Sequence, residues 1–318
     1  MITISPDDVD GCLTYPGLVE TLRSAFKNGA VQPVRHHHTI ARQRGSDATL
    51  LLMPAWTGSS AESDGHIGVK IVTVSPDNNG IGKPAVMGVY LLMDGRTGEP
   101  QALIDGPRLT VWRTACASAL AASYLARQDA SRLLVVGAGA LAPHLARAHA
   151  SQRTIEEVRI WNRTPANAEK VVRSLREEGL DASVAGDLDE ALGWADIISC
   201  ATLSETPLVR GALLRPGTHV DLVGAFSPTM RESDDEAVSR ASVFVDTHAG
   251  ATKEAGDIVQ AILSGALTPE GIKADLFELT REEKPGRQTG GEITLFKSVG
   301  AAIEDLAAGI AIYRASRG

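Results

Sequence analysis

Hydrophobic residues follow two different patterns along the chain, and the change falls near residue 130. Before it, short runs of aliphatic residues are separated by stretches rich in Pro, Asn, Asp and Gly, which is typical of strands joined by turns. After it, short apolar runs alternate with longer helical segments, as in a doubly wound parallel sheet. The strands predicted in the first part cover residues 31–39, 49–54, 67–75 and 85–93, and those in the second cover 133–136, 158–161, 182–184, 196–200, 219–223 and 243–245.

Helical segments complete both parts. A helix is predicted over residues 5–29 and an alanine-rich helix over 109–126, and further helices over 141–150, 166–178, 188–193, 232–240 and 297–314. The fold class is therefore α/β, with a Rossmann-type parallel sheet and a second α+β domain whose sheet is mostly antiparallel. We expect residues 1–117, together with the C-terminal helix in 297–318, to form the second domain. Residues 118–296 form the dinucleotide-binding domain.

The turn after the run 133–136 has the form of a dinucleotide-binding loop. Its residues are Gly137, Ala138, Gly139, Ala140 and Leu141. A first glycine permits the tight turn, a second lets the backbone approach a pyrophosphate, and the helix N-terminus attracts the phosphate charge. These five residues are predicted to bind the cofactor.

The end of the next strand indicates which cofactor. An acid at this position would hold a ribose 2′-hydroxyl, whereas Arg suits a 2′-phosphate. The chain has Asn162, Arg163 and Thr164 there and no acid. We predict NADPH, with NADH as the less favoured alternative; a solvated Arg in a turn is the structural alternative for Arg163.

Composition and net charge limit the classes of molecule that the chain is expected to bind. The chain has 318 residues, 43% of them hydrophobic and 22% charged, with a net charge of -8. Without basic blocks, a signal peptide or a long apolar segment, neither a nucleic acid nor a membrane is expected as a partner, and a cytoplasmic location is predicted. The three cysteines are odd in number and widely spaced, which predicts reduced thiols.

Two cations of the first part are candidates for chemistry. Lys70 lies within a β-branched strand pattern, so it needs an anionic partner if buried, or else protects an exposed sheet edge. Arg113 is placed in about the first turn of a helix, where a cation opposes the helix dipole unless an anionic ligand binds there. A surface ion pair between Arg113 and Asp105 is the alternative.

Two other features are interpreted as structural. His36, His37 and His38 are consecutive on a predicted strand, so their side chains cannot converge on one ion, and no metal site is predicted. Asp221 lies towards the carboxyl end of a predicted parallel strand, where it could be catalytic, although capping the loop that starts at Gly224 is the favoured interpretation.

Several motifs in the same order resemble the ornithine cyclodeaminase/μ-crystallin family. They span nearly the whole chain: Gln32-Pro-Val-Arg35, Leu52-Met-Pro-Ala55, Gly68-Val-Lys70, Leu109-Thr-Val-Trp-Arg-Thr-Ala115, Gly137-Ala-Gly139, Asn162-Arg-Thr164 and Phe296-Lys-Ser-Val-Gly300. The resemblance implies a homodimer formed through the N-terminal domain. It also implies that Arg35 and Arg113 bind the substrate carboxylate and that Lys70 is the active-site lysine.

Two departures favour one branch of this family. Ornithine cyclodeaminases carry an Asp where this chain has Phe226, and they also carry the ribose-binding acid that is missing here. The run around Phe226 is similar to that of enzymes that reduce cyclic ketimines. Phe226 would pack against the apolar ring methylenes of such a substrate.

The resulting prediction is an oxidoreductase acting on C=N bonds. It would use NADPH to reduce Δ1-pyrroline-2-carboxylate or Δ1-piperideine-2-carboxylate to L-proline or L-pipecolate. Arg35, Lys70, Arg113 and Phe226 would bind the imino or amino acid, and Lys70 and Arg113 would be catalytic. The alternatives are an ornithine cyclodeaminase, a dehydrogenase of alanine or N-substituted amino acids, and a non-catalytic protein that binds NADPH and a small ligand, as μ-crystallin does.

Overall fold

The structure is a computed structural model, and it describes residues 1–58 and 65–317. The chain divides into two compact units. The split unit consists of Met1–Arg113 and Ala301–Gly318, and the inserted unit of Thr114–Gly300. These boundaries lie four residues from the predicted domain boundaries.

The split unit is organised around a mixed sheet. Over its described residues the sheet has six strands in the order β1-β6-β5-β4-β3-β2, of which β1 and β6 are parallel and all other neighbours antiparallel. The strands are β1 (Ile2–Ile4), β2 (His36–Ile40), β3 (Ala48–Trp56), β4 (His66–Val74), β5 (Val86–Asp94) and β6 (Pro100–Asp105). The predicted α+β domain with a mostly antiparallel sheet is confirmed.

Helices accompany this sheet. They are α1 (Pro6–Cys12), α2 (Tyr15–Asn28), the first part of α3 (Gly106–Leu125) and α11 (Ala302–Ser316). Helix α11 packs on α2 and on strands β3, β4 and β5, and nearly all its side chains from 302 to 309 are buried. The boundary between the two units falls within α3.

The first predicted helix, over residues 5–29, is in fact two helices. Thr14 caps α2 by accepting a hydrogen bond from the Gly17 amide at 3.3 Å. Pro16 follows in the first turn, and a proline has no N–H for a continuous helix. The chain therefore turns between α1 and α2.

The inserted unit contains a parallel sheet. Within the described part of the chain it has eight strands in the order β13-β12-β14-β11-β10-β7-β8-β9. These are β7 (Arg132–Val136), β8 (Glu157–Trp161), β9 (Ala182–Val184), β10 (Ile197–Cys200), β11 (His219–Leu222), β12 (Ser242–Val245), β13 (Ile272–Asp275) and β14 (Thr294–Lys297). All neighbouring strands are parallel, so the predicted Rossmann-type sheet is confirmed.

Helices alternate with these strands. They are α4 (Ala142–Gln152), α5 (Pro165–Glu177), α6 (Leu188–Trp194), α7 (Asp235–Arg240), α8 (His248–Glu254), α9 (Gly256–Ser264) and α10 (Leu276–Thr280). Apolar residues of β7, β10, β11, β12 and β14 form one core cluster with the helices α6, α7 and α9, and residues of β7 and β8 form another with α4 and α5.

The C-terminal helix was predicted to begin at residue 297, which is five residues too early. Lys297 is the last residue of β14, and the helix starts at Ala302 after an extended segment. Residues 294–297 are completely buried in the sheet, and sequence analysis did not predict a strand there.

Among the described residues, no helix is both long and apolar enough to cross a membrane. Cys12, Cys116 and Cys200 are free thiols, as predicted.

Candidate active site

Lys70 lies in the middle of the split unit's sheet. Its strand, β4, is flanked by β3 and β5, where Met53 and Tyr90 are its partners in register. The side chain is only 3% exposed, so the alternative of an exposed edge lysine is excluded. Its ammonium nitrogen lies 2.9 Å from Oδ1 and 2.8 Å from Oδ2 of Asp305.

Arg113 is buried beside the same carboxylate. Its Nε donates to Asp305 Oδ1 at 3.0 Å, and its guanidinium also donates to Glu304 Oε2 at 2.7 Å. The predicted alternative of a surface pair with Asp105 is wrong, because Asp105 instead accepts from the Arg108 amide. Arg113 also lies about two turns into α3 rather than in its first turn, so protein carboxylates rather than the helix terminus surround it.

Helix α11 supplies both acids from its first turn. Glu304 Oε1 accepts from the Ala301 amide at 3.3 Å, which caps the helix. The next free amide, that of Ile303, donates to the side-chain oxygen of Gln32 at 3.1 Å. The Gln32-to-Arg35 segment is thereby attached to the helix that carries the acids.

Burial and neighbouring charges set the protonation of Lys70. Burial lowers its pKa from 10.5 to about 8, the charge of Asp305 opposes this, and the charges of Arg113 and Arg35 add to it. Two cations of the split unit, Arg35 and Arg113, thus act on Lys70. Because Glu304 and Asp305 offset only two of these three positive charges, one excess positive charge is left to attract a carboxylate ligand.

Tyr90 contributes a buried hydroxyl next to this cluster. Its ring fills the space left by two glycines, since a Cβ at Gly68 would lie 1.8 Å from Tyr90 Oη and a Cβ at Gly309 2.5 Å from Cε1. Burial and the charge of Asp305 raise the pKa of Tyr90 well above its usual value, so the phenol remains neutral. Tyr90 therefore fills space next to the buried charges without adding a charge of its own.

The inserted unit carries the predicted dinucleotide loop between β7 and α4. Gly137 has a φ of 113°, and a Cβ there would lie 2.5 Å from the Ala201 carbonyl oxygen, so the turn requires glycine. Gly139 and Ala140 are exposed, and a Cβ on Gly139 would meet no atom within 4 Å. Leu141 leaves the N-terminus of α4 without a side-chain cap. An open backbone at an uncapped helix start fits a pyrophosphate.

The loop after β8 is open and carries no acid. Arg163 and Thr164 are exposed, and Asn162 Nδ2 donates to the Thr164 carbonyl at 2.9 Å, which closes the turn. Thr164 precedes α5 without using its hydroxyl to cap the helix. A guanidinium and a hydroxyl at this position fit an anionic group on the ribose.

A second buried charge cluster lies at the carboxyl ends of the parallel strands. Lys297 Nζ is 3.3 Å from Asp257 Oδ2 and 3.9 Å from Glu232 Oε2, and it donates to the Gly224 carbonyl. Glu232 Oε1 accepts from the amide and hydroxyl of Thr202 at 2.6 and 2.8 Å. Burial raises the pKa of Glu232 to about 7, against the charge of Lys297. The cluster holds the loops that follow β10 and β11.

Phe226 lies in the loop after β11 and is 44% exposed. The preceding residue, Ala225, has a positive φ of 48° and is fully buried, so the loop bends there and directs Phe226 outward. Its role in substrate binding stays a prediction.

Asp221 lies in the interior of the inserted unit. It accepts hydrogen bonds from Ser118 at 3.0 Å and Ser199 at 2.6 Å, and His149 Nε2 is 3.6 Å away. The carboxylate is completely buried and joins α3, β10 and β11. Asp221 is structural, although it does not cap the Gly224 loop as we had interpreted.

One group of side chains in the described part of the chain has the spacing of a metal site, and sequence analysis missed it. Ligand atoms of His248, Asp275 and Glu278 all lie within 4.8 Å of one another. Asp275 and Glu278 already form the capping box of α10, and His248 contacts Glu278 at 3.0 Å. The arrangement is explained by helix capping.

Sequence analysis also missed Glu304 and Asp305. Both stand in the first turn of a helix, where acids are common because they complement its dipole. An available signal was their position in an otherwise apolar segment, where two adjacent acids need buried cationic partners.

Comparison with known proteins identifies the family of the chain. The sequence model of the ornithine cyclodeaminase/mu-crystallin family matches residues 8–318. The chain belongs to this family.

Three relatives illustrate the family's range. The Arabidopsis thaliana protein SAR DEFICIENT 4 is 43% identical, over 92% of this chain and 92% of its own. A Delta(1)-pyrroline-2-carboxylate reductase of Paracoccus denitrificans is 40% identical, over 87% of this chain and 89% of its own. The structure of the Thermococcus litoralis Delta(1)-pyrroline-2-carboxylate reductase, in complex with NADH and L-proline, has a TM-score of 0.93 and 32% identity, covering 100% of this chain and 98% of that one.

These likenesses confirm two predictions. The family identified from the motifs is correct, and the chain is an NAD(P)H-dependent oxidoreductase acting on C=N bonds.

Proposed function

We propose that this chain catalyses the NADPH-dependent reduction of cyclic ketimine carboxylates. The substrates are Δ1-pyrroline-2-carboxylate and Δ1-piperideine-2-carboxylate, and the products are L-proline and L-pipecolate. The observation that carries the proposal is the buried Lys70 paired with Asp305 and flanked by Arg113 and Arg35. The reductases of Paracoccus denitrificans and Thermococcus litoralis named above support it.

The two arginines serve the substrate carboxylate. Arg113 is held in one orientation by Glu304 and Asp305, which reduces the entropy lost when it binds an anion. Arg35 is half-buried on the segment attached to α11 through Gln32. Together they would orient a flat imine by its carboxylate.

Lys70 serves the imine nitrogen. With a pKa of about 8, its ammonium is mostly protonated at neutral pH and is a stronger acid than an ordinary lysine. When bound, NADPH supplies a hydride to the imine carbon. Lys70 would give a proton to the nitrogen, which with the hydride would convert the C=N double bond to CH–NH, and Lys70 would regain its proton from solvent.

The inserted unit provides the residues for the cofactor. Gly137 to Leu141 would hold the pyrophosphate against the N-terminus of α4. Asn162, Arg163 and Thr164 would hold the 2′-phosphate, since the loop offers a positive charge and no acid.

We further propose that the protein is a homodimer. Ile40, Ile81, Val86 and Met87 are each between 46% and 70% exposed, and they lie at the same end of the split unit's sheet. A second copy would cover these apolar side chains. Light scattering measures the mass of the assembly directly.

The test of the activity is a substrate panel. Each cyclic imine is mixed with enzyme and NADPH, and the loss of NADPH absorbance is compared with that for pyruvate plus ammonia, which presents a linear imine. We expect faster oxidation with the cyclic imines. Greater activity on the linear mixture would instead favour an amino acid dehydrogenase.

The substitution Lys70→Met tests the proton donor. It keeps most of the side-chain volume, so NADPH binding should persist while turnover falls by about 10²- to 10⁴-fold, as is typical when a general acid is lost. Lys27→Met, at an exposed lysine of α2 in the same unit, is the matched control. Retained turnover in Lys70→Met would remove Lys70 from the mechanism.

A further inference from the structure

Two consecutive acids of α11 have different partners among the buried cations. Asp305 contacts Lys70 with both carboxylate oxygens, and its Oδ1 also accepts from Arg113. Glu304 contacts Arg113 and caps its own helix. Both acids are completely buried.

We propose that Asp305 is the positioning residue that keeps Lys70 protonated and aligned for proton transfer, while Glu304 positions Arg113 for the substrate carboxylate. This inference rests on the proposed function, because it assigns Lys70 as the proton donor. It assigns different roles to the two neighbouring acids: Asp305 acts on the protonation of Lys70, and Glu304 acts on binding of the substrate carboxylate.

The charges around Lys70 show why its protonation depends on Asp305. Arg113 on α3 and Arg35 before β2 both disfavour an ammonium at Lys70, and Tyr90 on β5 is a neutral phenol. Burial disfavours the ammonium further. Asp305 is the group that opposes these three effects, so without its charge Lys70 would lose its proton at a lower pH.

The geometry supports a positioning role as well. An ammonium that contacts both oxygens of one carboxylate has little freedom to rotate away, and the carboxylate is itself held by Arg113. Asp305 sits in the first turn of α11, whose dipole stabilises its negative charge. The helix is anchored to the sheet by its buried face, so the acid is fixed.

The test compares pH profiles of Asp305→Asn and Glu304→Gln. In the wild-type enzyme, kcat/KM for the imine should fall above about pH 8 as Lys70 loses its proton. In Asp305→Asn this fall should move at least about one pH unit lower, the usual effect of removing an opposite charge at this distance. Glu304→Gln retains the capping oxygen and should raise KM about tenfold without moving the fall.

Because all variants are assayed with the same imine, titration of the substrate cancels from the comparison. Asp305→Glu restores the charge with a longer side chain, so its fall should return to the wild-type pH even if kcat is reduced. The proposal is overturned if the profile of Asp305→Asn coincides with that of the wild type. It is also overturned if Glu304→Gln or Asp305→Glu shifts the fall as much as Asp305→Asn does.

A second readout does not depend on catalysis. The pKa of Lys70 is lower when folded than when unfolded, so the unfolded chain binds more protons and stability should rise as pH increases from about 8 to 10.5. In Asp305→Asn this rise should begin at lower pH, as measured by urea unfolding across the pH range; an unchanged onset counts against Asp305. Inactivity of the wild type on both imines would refute the proposed function. The unfolding data would still test whether Asp305 keeps Lys70 protonated.

Discussion

At the scale of single residues, Arg163 differs from the buried cations of the split unit because its side chain is exposed. Its place after β8 is where a dinucleotide-binding fold reads the ribose. An exposed guanidinium beside an open turn offers charge without requiring any rearrangement, so cofactor preference should depend on it directly.

Arg163→Ala should reduce the preference for NADPH. Loss of charge-assisted hydrogen bonds, each worth about 1.5–3 kcal/mol, predicts a 10- to 100-fold fall in kcat/KM for NADPH and little change for NADH. Steady-state kinetics with both cofactors measures this ratio. Arg173→Ala, at an exposed arginine of α5, is the control, and an equal loss with both cofactors would show that Arg163 does not distinguish them.

The sequence permitted prediction of the cations at this scale but not of their partners. Lys70 was singled out because a charge within an apolar strand pattern needs compensation, and Arg113 because a cation near a helix N-terminus opposes the helix dipole. Which acids compensate them depends on contacts between residues about 190 to 235 positions apart, which no local pattern reports. Glu304 and Asp305 therefore had to come from the structure.

At the scale of elements, α11 shows why small residues recur in its sequence. Tyr90 lies between β4 and this helix, and its ring needs the absence of a side chain at both Gly68 and Gly309. The helix can approach the sheet closely only with glycine at 309, and this approach brings its acids to Lys70.

Gly309→Ala should therefore destabilise the split unit. Alanine favours a helix by up to about 1 kcal/mol, but its Cβ would lie 2.5 Å from a fully buried aromatic ring, and overpacking costs about 1–3 kcal/mol. Hydrogen exchange of α11 should become faster. Gly11→Ala in α1, where a Cβ would meet nothing within 4 Å, is the control, and slower exchange in Gly309→Ala would contradict the argument.

Element prediction succeeded where a local rule was decisive and failed where packing was. Strands β3, β4 and β5 and the β7–α4 unit were predicted to within a few residues from apolar runs and turn signals. The break between α1 and α2 is an exception, because Thr14 and Pro16 mark it locally and it was still missed. Strand β14 was missed because a four-residue strand that ends in a buried lysine has no distinctive pattern.

At the scale of the whole molecule, the free energy of unfolding should depend on pH through the titration of Glu232. Its pKa is about 7 in the folded protein and 4.5 in the unfolded chain. The folded state therefore binds more protons between these values, so this group makes the protein less stable as pH rises from about 4.5 to 7, by roughly 3 kcal/mol in total.

Glu232→Gln should remove that part of the pH dependence. Glutamine can still accept from Thr202 but does not titrate, so the difference in unfolding free energy between wild type and variant should change across pH 4.5–7. Urea unfolding followed by circular dichroism at several pH values measures it. Glu169→Gln, at an exposed site, should run parallel to the wild type, and a parallel curve for Glu232→Gln would disprove the assignment.

The division of the chain has a consequence for biosynthesis. A ribosome makes all of residues 114–300 after the six strands of the split unit and before α11. Until that helix emerges, Lys70 on β4 and Arg113 on α3 lack Asp305 and Glu304, and two uncompensated cations resist closure of the apolar interior. The inserted unit is therefore synthesised in full before Lys70 gains its acidic partner, which happens only when α11 emerges.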